Sequence, residues 1–205
     1  KLESSIVRLA GAQKNIANAQ SFLEVQDGIL SSAGKILNRM VELKGLSEDV
    51  MKNDSDKDNY NREFRDLQLQ IYDLAQVQFN GVSLFAEFQA DGTTQAKIND
   101  LSADNTLSVF ASADGSSGPT VSINKAALLS ALTIDEADVD TEQEFGDAGT
   151  GTISSFAAEN IGDAINLTDV SVGVFTQAIE NIATLRADNG GSMSRLRHAA
   201  EDVAL

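Results

Sequence analysis

A heptad repeat runs through the first fifty residues and commits them to one long helix. Leu9, Ile16, Leu23, Leu30 and Leu37 are spaced by sevens, and so are Phe22, Ile29, Ile36, Leu43 and Val50. A third row, Ala12, Ala19, Gln26, Ala33 and Met40, sets mostly small residues beside them. Three adjacent rows make the broad stripe of a helix in a multi-helix bundle, not the narrow seam of an isolated two-stranded coil. At 1.5 Å per residue, roughly 45 residues span about 70 Å, long for any helix.

The pattern stops in the polar run Lys52-Asn53-Asp54-Ser55-Asp56-Lys57-Asp58, which is rich in turn and N-capping residues. It resumes with Phe64, Leu67, Ile71 and Leu74, spaced by threes and fours. Asn80-Gly81 supplies the left-handed residues of a helix C-cap, so this second helix is expected to end near Phe79. The short polar link makes the two helices an antiparallel pair. From 171 the helical period returns. Phe175, Ile182, Leu196 and Val203 share one row broken by Asn189, and Ala178, Leu185 and Ala199 share a second broken by Ser192. Each interior glycine of Asn189-Gly190-Gly191 costs about 1 kcal/mol against alanine, yet packing is expected to hold one continuous helix. Val203-Ala204-Leu205 offers no capping residue, so this helix is expected to be cut short rather than ended.

Between these parts lies a different kind of chain. Residues 1–88 carry 10 basic and 13 acidic residues, a net −3, and residues 171–205 carry 3 and 4, a net −1. Residues 89–170 carry 2 and 14, a net −12. That shift predicts a discontinuous helical rod domain, 1–88 with 171–205, and an outward-facing acidic β-hairpin and loop region over 89–170. Val82–Phe85, just before it, and Leu107–Ala111, within it, read as strands. Asp114–Pro119 is a turn, Thr120–Ile123 is the returning strand of a hairpin, and Lys125–Leu132 makes one or two helical turns. Residues 135–151 read as a solvated loop. The expected fold is therefore mainly α with a small β part: an elongated rod of long antiparallel heptad helices with a β-hairpin and loop region at one end. Only 5% of residues are aromatic, there is no Trp and there is a single Pro, which fits Leu, Ile, Val and Ala packing between helices.

Charge and composition narrow the function. A net charge of −16 repels nucleic acid and anionic membrane. No apolar run approaches the roughly 18–20 residues of a membrane span, and Lys1-Leu2-Glu3-Ser4-Ser5 lacks the apolar stretch of a secretory signal. With no Cys there are neither disulfides nor thiolate metal sites. Asp54-Ser55-Asp56-Lys57-Asp58 opens like a calcium loop, but Asn59 and Arg65 stand where the turn glycine and the final carboxylate belong, so an N-capping turn is the better reading. The acidic run Asp135–Glu142 reads as a solvated face, and His198, the only histidine, has no partners for a zinc site or a triad. Gly146–Gly151 lacks the Lys-Ser/Thr ending of a phosphate loop. No enzyme, cofactor or metal site is expected. A long thin rod has much surface for its volume, which favours lateral packing against copies of itself; the pattern alone leaves a monomeric spacer or adaptor equally open.

Four segments resemble bacterial flagellin. Asn18–Leu30 resembles its first core helix, commonly Ser-Leu-Leu-Gln-Thr-Ala-Glu-Gly-Ala-Leu, and Ile36-Leu37-Asn38-Arg39-Met40-Val41-Glu42-Leu43 resembles Ile-Leu-Gln-Arg-Met-Arg-Glu-Leu. Gln78–Phe85 resembles the family's Phe-Asn-Gly turn into a β-hairpin. Ala178–Ile182 and Leu185–Leu196 resemble the returning helix, commonly Arg-Ala-Asp-Leu-Gly-Ala-x-x-Asn-Arg-Leu. The resemblance covers about residues 6–85 and 171–205, with a looser match over Val121–Leu132. It implies a self-assembling filament subunit serving motility. Such a subunit is exported with a chaperone through the flagellar secretion apparatus, without a cleaved signal peptide, to an extracellular filament. It also implies that terminal helices forming the inner tube are missing here. Asn38, Arg39, Glu42 and Leu43, with Gln70 on the second helix, fall where the resemblance implies a segment that packs subunits or is read by the innate-immune Toll-like receptor for flagellin, and Arg39, Glu42 and Leu43 match it. Val41 replaces an Arg, Lys44-Gly45 replaces Ala-Val and Gln70 stands where Glu is common, which predicts weak or no receptor signalling. The alternatives are the hook–filament junction protein of the same helical family and a monomeric adaptor; the Phe79-Asn80-Gly81 turn favours flagellin over the junction protein.

Overall fold

A computed structural model describes residues 1–86, 106–135 and 153–204. The heptad rows form α1, Leu2–Ser47, a single helix of 46 residues. α2 is Asp54–Ala75, and its start lies inside the polar run, because Asn53 and Asp56 close a reciprocal capping box. Asp56 N donates to Asn53 Oδ1 at 2.8 Å, and Asn53 N donates back to Asp56 Oδ2 at 3.4 Å. These acidic residues therefore satisfy the open N–H groups of a first helical turn and favour its positive dipole end.

Two expectations need correction here. α2 ends at Ala75, with Gln76 as its cap, and not at Phe79. Asn80 (φ 51°) and Gly81 (φ 78°) are indeed left-handed, but they turn a two-residue hairpin between β1, Gln78–Phe79, and β2, Val82–Ser83. Positive φ at both central positions is the requirement of a type I′ turn, which Asn-Gly meets as readily as it meets a helix cap. Val50, the last member of a heptad row, lies beyond the end of α1 and is 90% exposed.

β3, Thr106–Phe110, and β4, Thr120–Asn124, pair antiparallel as the alternation predicts, with Val109 opposite Val121. A four-residue helix α3, Leu128–Ala131, follows. β5, Thr133–Asp135, pairs with β6, Ile153–Ser155. The loop expected over 135–151 falls, apart from Asp135, outside the described residues, as does the acidic run after Asp135. Two short 3₁₀ turns, Ile161–Asp163 and Leu167–Asp169, lead into α4, Val172–Ala204, which runs unbroken for 33 residues through Gly190-Gly191.

α1 packs on both α2 and α4. Ile16, Leu23, Leu30, Leu37, Met40 and Leu43 of α1 are fully buried against Phe64 and Ile71 of α2 and Phe175 and Ile182 of α4. α4 comes close to α1 at Gly34, whose missing side chain leaves Ile182 Cγ2 3.9 Å from where a Cβ would sit. Phe156 stacks on Phe175 with centroids 4.9 Å apart, and both meet Phe64 edge-on. Val109, Ile123, Phe156, Leu167 and Val170 join the same core, so the described parts of the acidic middle are anchored to the helices.

Candidate functional site

The sequence segment 38–43 lies on α1 where α2 crosses it. Arg39 donates through Nε and Nη2 to the two carboxylate oxygens of Glu63, both at 2.9 Å, and its Nη1 meets Glu42 Oε1 at 2.9 Å. Those hydrogen bonds, Glu63 first and Glu42 second, push the guanidinium pKa further above its already high ordinary value. Arg39 is thus a fixed, permanently charged fork on a half-exposed surface. Asn38 and Glu42 are exposed beside it. Leu43 faces the other way and is fully buried, so it can serve a partner only by holding α1 in place. Gln70 is exposed on α2, seven residues or about 10 Å of helix beyond Glu63. Asn38, Arg39 and Glu42 form one patch, with Glu63 as the member that sequence reading missed.

A second group of residues was also missed: the polar positions inside the apolar stripes. Gln26 and Asn189 interrupt heptad rows of α1 and α4, and the fold brings them together. Asn189 Nδ2 donates to Gln26 Oε1 and to Leu23 O, each at 2.9 Å. Gln26 Nε2 donates to Leu84 O at 2.7 Å, just past β2. One buried amide pair therefore ties α1, α4 and the exit of the β1–β2 hairpin. A slide of either helix by one turn would leave these amides buried without partners, which fixes the register. Gln68 does the same for α2. Its Nε2 donates to Ile165 O and its Oε1 accepts from Ile165 N, both at 2.9 Å, so the side chain pairs with the backbone as a strand would. Nearby, Lys44 Nζ donates to Leu167 O at 2.8 Å, and Asn61 Oδ1 accepts from Leu167 N at 2.9 Å. For Gln26 and Asn189 the signal was present in sequence as a polar residue on an apolar row.

The remaining candidates lie in a helix cap and on the exposed end of α4. Asp54 and Asp56 lie in the first turn of α2, with Asp56 committed to its cap. His198 is exposed and lies 3.7 Å from Glu201 one turn on. Among the described residues no three His, Cys, Asp or Glu side chains converge as metal ligands, and no helix is long and apolar enough to cross a membrane.

Among the described residues, the five most exposed large apolar side chains, Leu2, Ile6, Val7, Val50 and Met51, lie at the two ends of α1. Leu2, Ile6, Val7 and Leu9 project from the start of α1, and Val50 and Met51 from the turn after it. Beside Leu9, α4 and the β3–β4 connection enclose an apolar groove of about 480 Å³.

Comparison with known proteins agrees with this architecture. Residues 1–90 match the family model of the bacterial flagellin N-terminal helical region, which here corresponds to α1, α2 and the β1–β2 hairpin. The flagellin of Listeria innocua serovar 6a is 28% identical over 202 residues, covering 95% of this chain and 60% of the relative. The flagellin of Listeria monocytogenes serovar 1/2a matches to the same extent. The chain thus spans about 60% of the length of these relatives. The crystal structure of Bacillus cereus flagellin superposes with a TM-score of 0.54 at 23% identity, covering 93% of this chain and 88% of that one. The N-terminal helical match, relatives aligned along nearly the whole chain and the shared fold all show similarity to flagellins.

Proposed function

We propose that the chain is a structural subunit of the bacterial flagellar filament, working by lateral and axial packing against copies of itself to serve motility. The observation that carries this is the coincidence of the flagellin N-terminal match, residues 1–90, with the α1–α2 rod and its hairpin. The physics of the rod supports it. A thin bundle of long helices leaves apolar side chains at its ends, and association with copies is the direct way to cover them. Catalysis has no part in it, since a filament subunit acts through its surface. Extracellular placement, passage through the flagellar export machinery with its chaperone, and export without a cleaved signal peptide belong to the same proposal. The rod is taken as 1–88 with 171–205, and the acidic stretch of 89–170 as the part that faces outward from its anchoring strands.

The patch of Asn38, Arg39 and Glu42 is assigned to subunit packing. The guanidinium of Arg39 is already engaged by Glu63 and Glu42, Leu43 is buried and Val41 stands in place of an arginine. Together these support weak or no signalling through the innate receptor. A cell reporter assay reads this directly, and full-strength activation would overturn it.

The filament reading is tested by expressing the gene in a flagellated bacterium whose own filament gene has been deleted. Immunogold electron microscopy should show long filaments labelled along their length, with swimming restored. Label confined to a short collar on the hook, or protein found only free in the medium, would contradict it.

A further inference from the structure

Two of the most exposed large apolar side chains among the described residues, Val50 at 90% and Met51 at 86%, sit side by side in the α1–α2 turn. The turn is not loose. Asp49 Oδ1 accepts from Met51 N at 2.8 Å, and Lys52 N donates to Asp49 O at 3.1 Å. The capping box of Asn53 and Asp56 fixes the far side. The chain therefore spends ordered hydrogen bonds on holding two apolar side chains out in water, an arrangement that marks a contact surface.

A matching concavity lies at the other end. Leu9, Ala111, Pro119, Val121, Ala199 and Val203 supply the apolar lining of the groove of about 480 Å³, and Arg195, His198 and Asp202 line it as well. Arg195 donates to Ser122 O at 3.1 Å and to Ser192 Oγ at 3.0 Å, which fixes its guanidinium there. The ends also differ in charge. Residues 48–58 carry five acidic against two basic residues. The opposite end carries Lys1, Arg8, Lys14, Arg195 and Arg197 against Glu3, Asp114, Glu201 and Asp202. Leu9 and Ser47 lie on one helix about 57 Å apart, so the turn cannot reach the groove of its own copy.

We infer that the Val50–Met51 turn of one copy docks in the apolar groove at the opposite end of the next, an axial head-to-tail contact with Asp49 facing Arg195. The inference rests on the filament proposal and deepens it by naming the surfaces involved. The two surfaces are different patches of one molecule, so the contact is heterologous and repeats without closing, as a filament requires.

The chain has no cysteine, which makes cross-linking a clean test. Met51→Cys and Ala199→Cys are introduced singly and together into the protein expressed in the filament-deleted bacterium, with Val25→Cys on the flank of α1 as the control position. Mixed single variants under mild oxidant should form the Met51–Ala199 heterodisulfide at least about tenfold faster than Met51 with the Val25 control. The doubly substituted chain should give a ladder of covalent oligomers, and adding Val50→Asp, which leaves both thiols in place, should abolish both. Cross-linking no faster than the control overturns the inference, as does a closed covalent dimer from the double variant, which would mean an antiparallel pair. Electron microscopy of the same strains separates the two proposals. Filaments without the cross-link leave the filament reading standing and remove this contact. A ladder without filaments does the reverse.

Discussion

The two halves of the rod share one heptad pattern and end up in different states. In the half containing residues 22–44, α1 is flanked by α2 and α4, and Leu23, Leu30, Leu37, Met40 and Leu43 lose all contact with solvent. In the half containing residues 2–16, the described elements beside α1 are the end of α4 and the β3–β4 hairpin. Ala12 and Ile16 are buried there, while Leu2, Ile6, Val7 and Leu9 remain exposed. Equal apolar periodicity thus gives unequal burial, because burial depends on how many elements reach that level of the rod. The first half is a finished core. The second is a core waiting for neighbours, and on the filament proposal those neighbours are other subunits.

Substitutions should separate the halves by size of effect. Phe64→Ala opens the aromatic cluster with Phe156 and Phe175 in the finished half, and should cost about 3–5 kcal/mol in chemical denaturation. Asn189→Ala, at the boundary, leaves Gln26 Oε1 and Leu23 O buried with one partner fewer, and should cost about 1–3 kcal/mol. A double-mutant cycle with Gln26→Ala should show coupling of about 0.5–3 kcal/mol, and strict additivity would mean the amide pair is not a unit. Asn53→Ala removes half of the capping box at the start of α2 and should cost about 1 kcal/mol, read as a lower denaturation midpoint at unchanged slope. Ile6→Ser in the unfinished half should change the stability of the isolated chain by less than about 0.5 kcal/mol, yet reduce filament yield. A large loss of stability from Ile6→Ser would erase the distinction between the halves.

What could be read from sequence follows the same division. Elements fixed by local periodicity were legible: α1 from its three rows, α4 as one helix despite Gly190-Gly191, and β3–β4 from alternation around Asp114–Pro119. Local signals failed where one motif serves two geometries. Asn80-Gly81 can cap a helix or turn a hairpin, and only the pairing of Phe79 with Val82 decides between them. Val50 kept the heptad spacing after its helix had ended, since spacing carries no information about where capping intervenes. Of the candidate site, Arg39 and Glu42 were legible through resemblance, but Glu63 was not, because nothing local marks a partner 24 residues away. The Gln26–Asn189 pair, separated by 163 residues, was visible only as two interruptions in separate rows.

Hydrogen exchange measured on the free chain and on assembled filaments decides whether neighbouring copies complete the rod. Amides of residues 2–15 and 197–204 should exchange quickly in the free chain and become strongly protected in the filament, while residues 22–44 should be protected in both. Uniform protection of α1 in the free chain, or no gain at its first two turns on assembly, would contradict the picture of a rod completed by its neighbours.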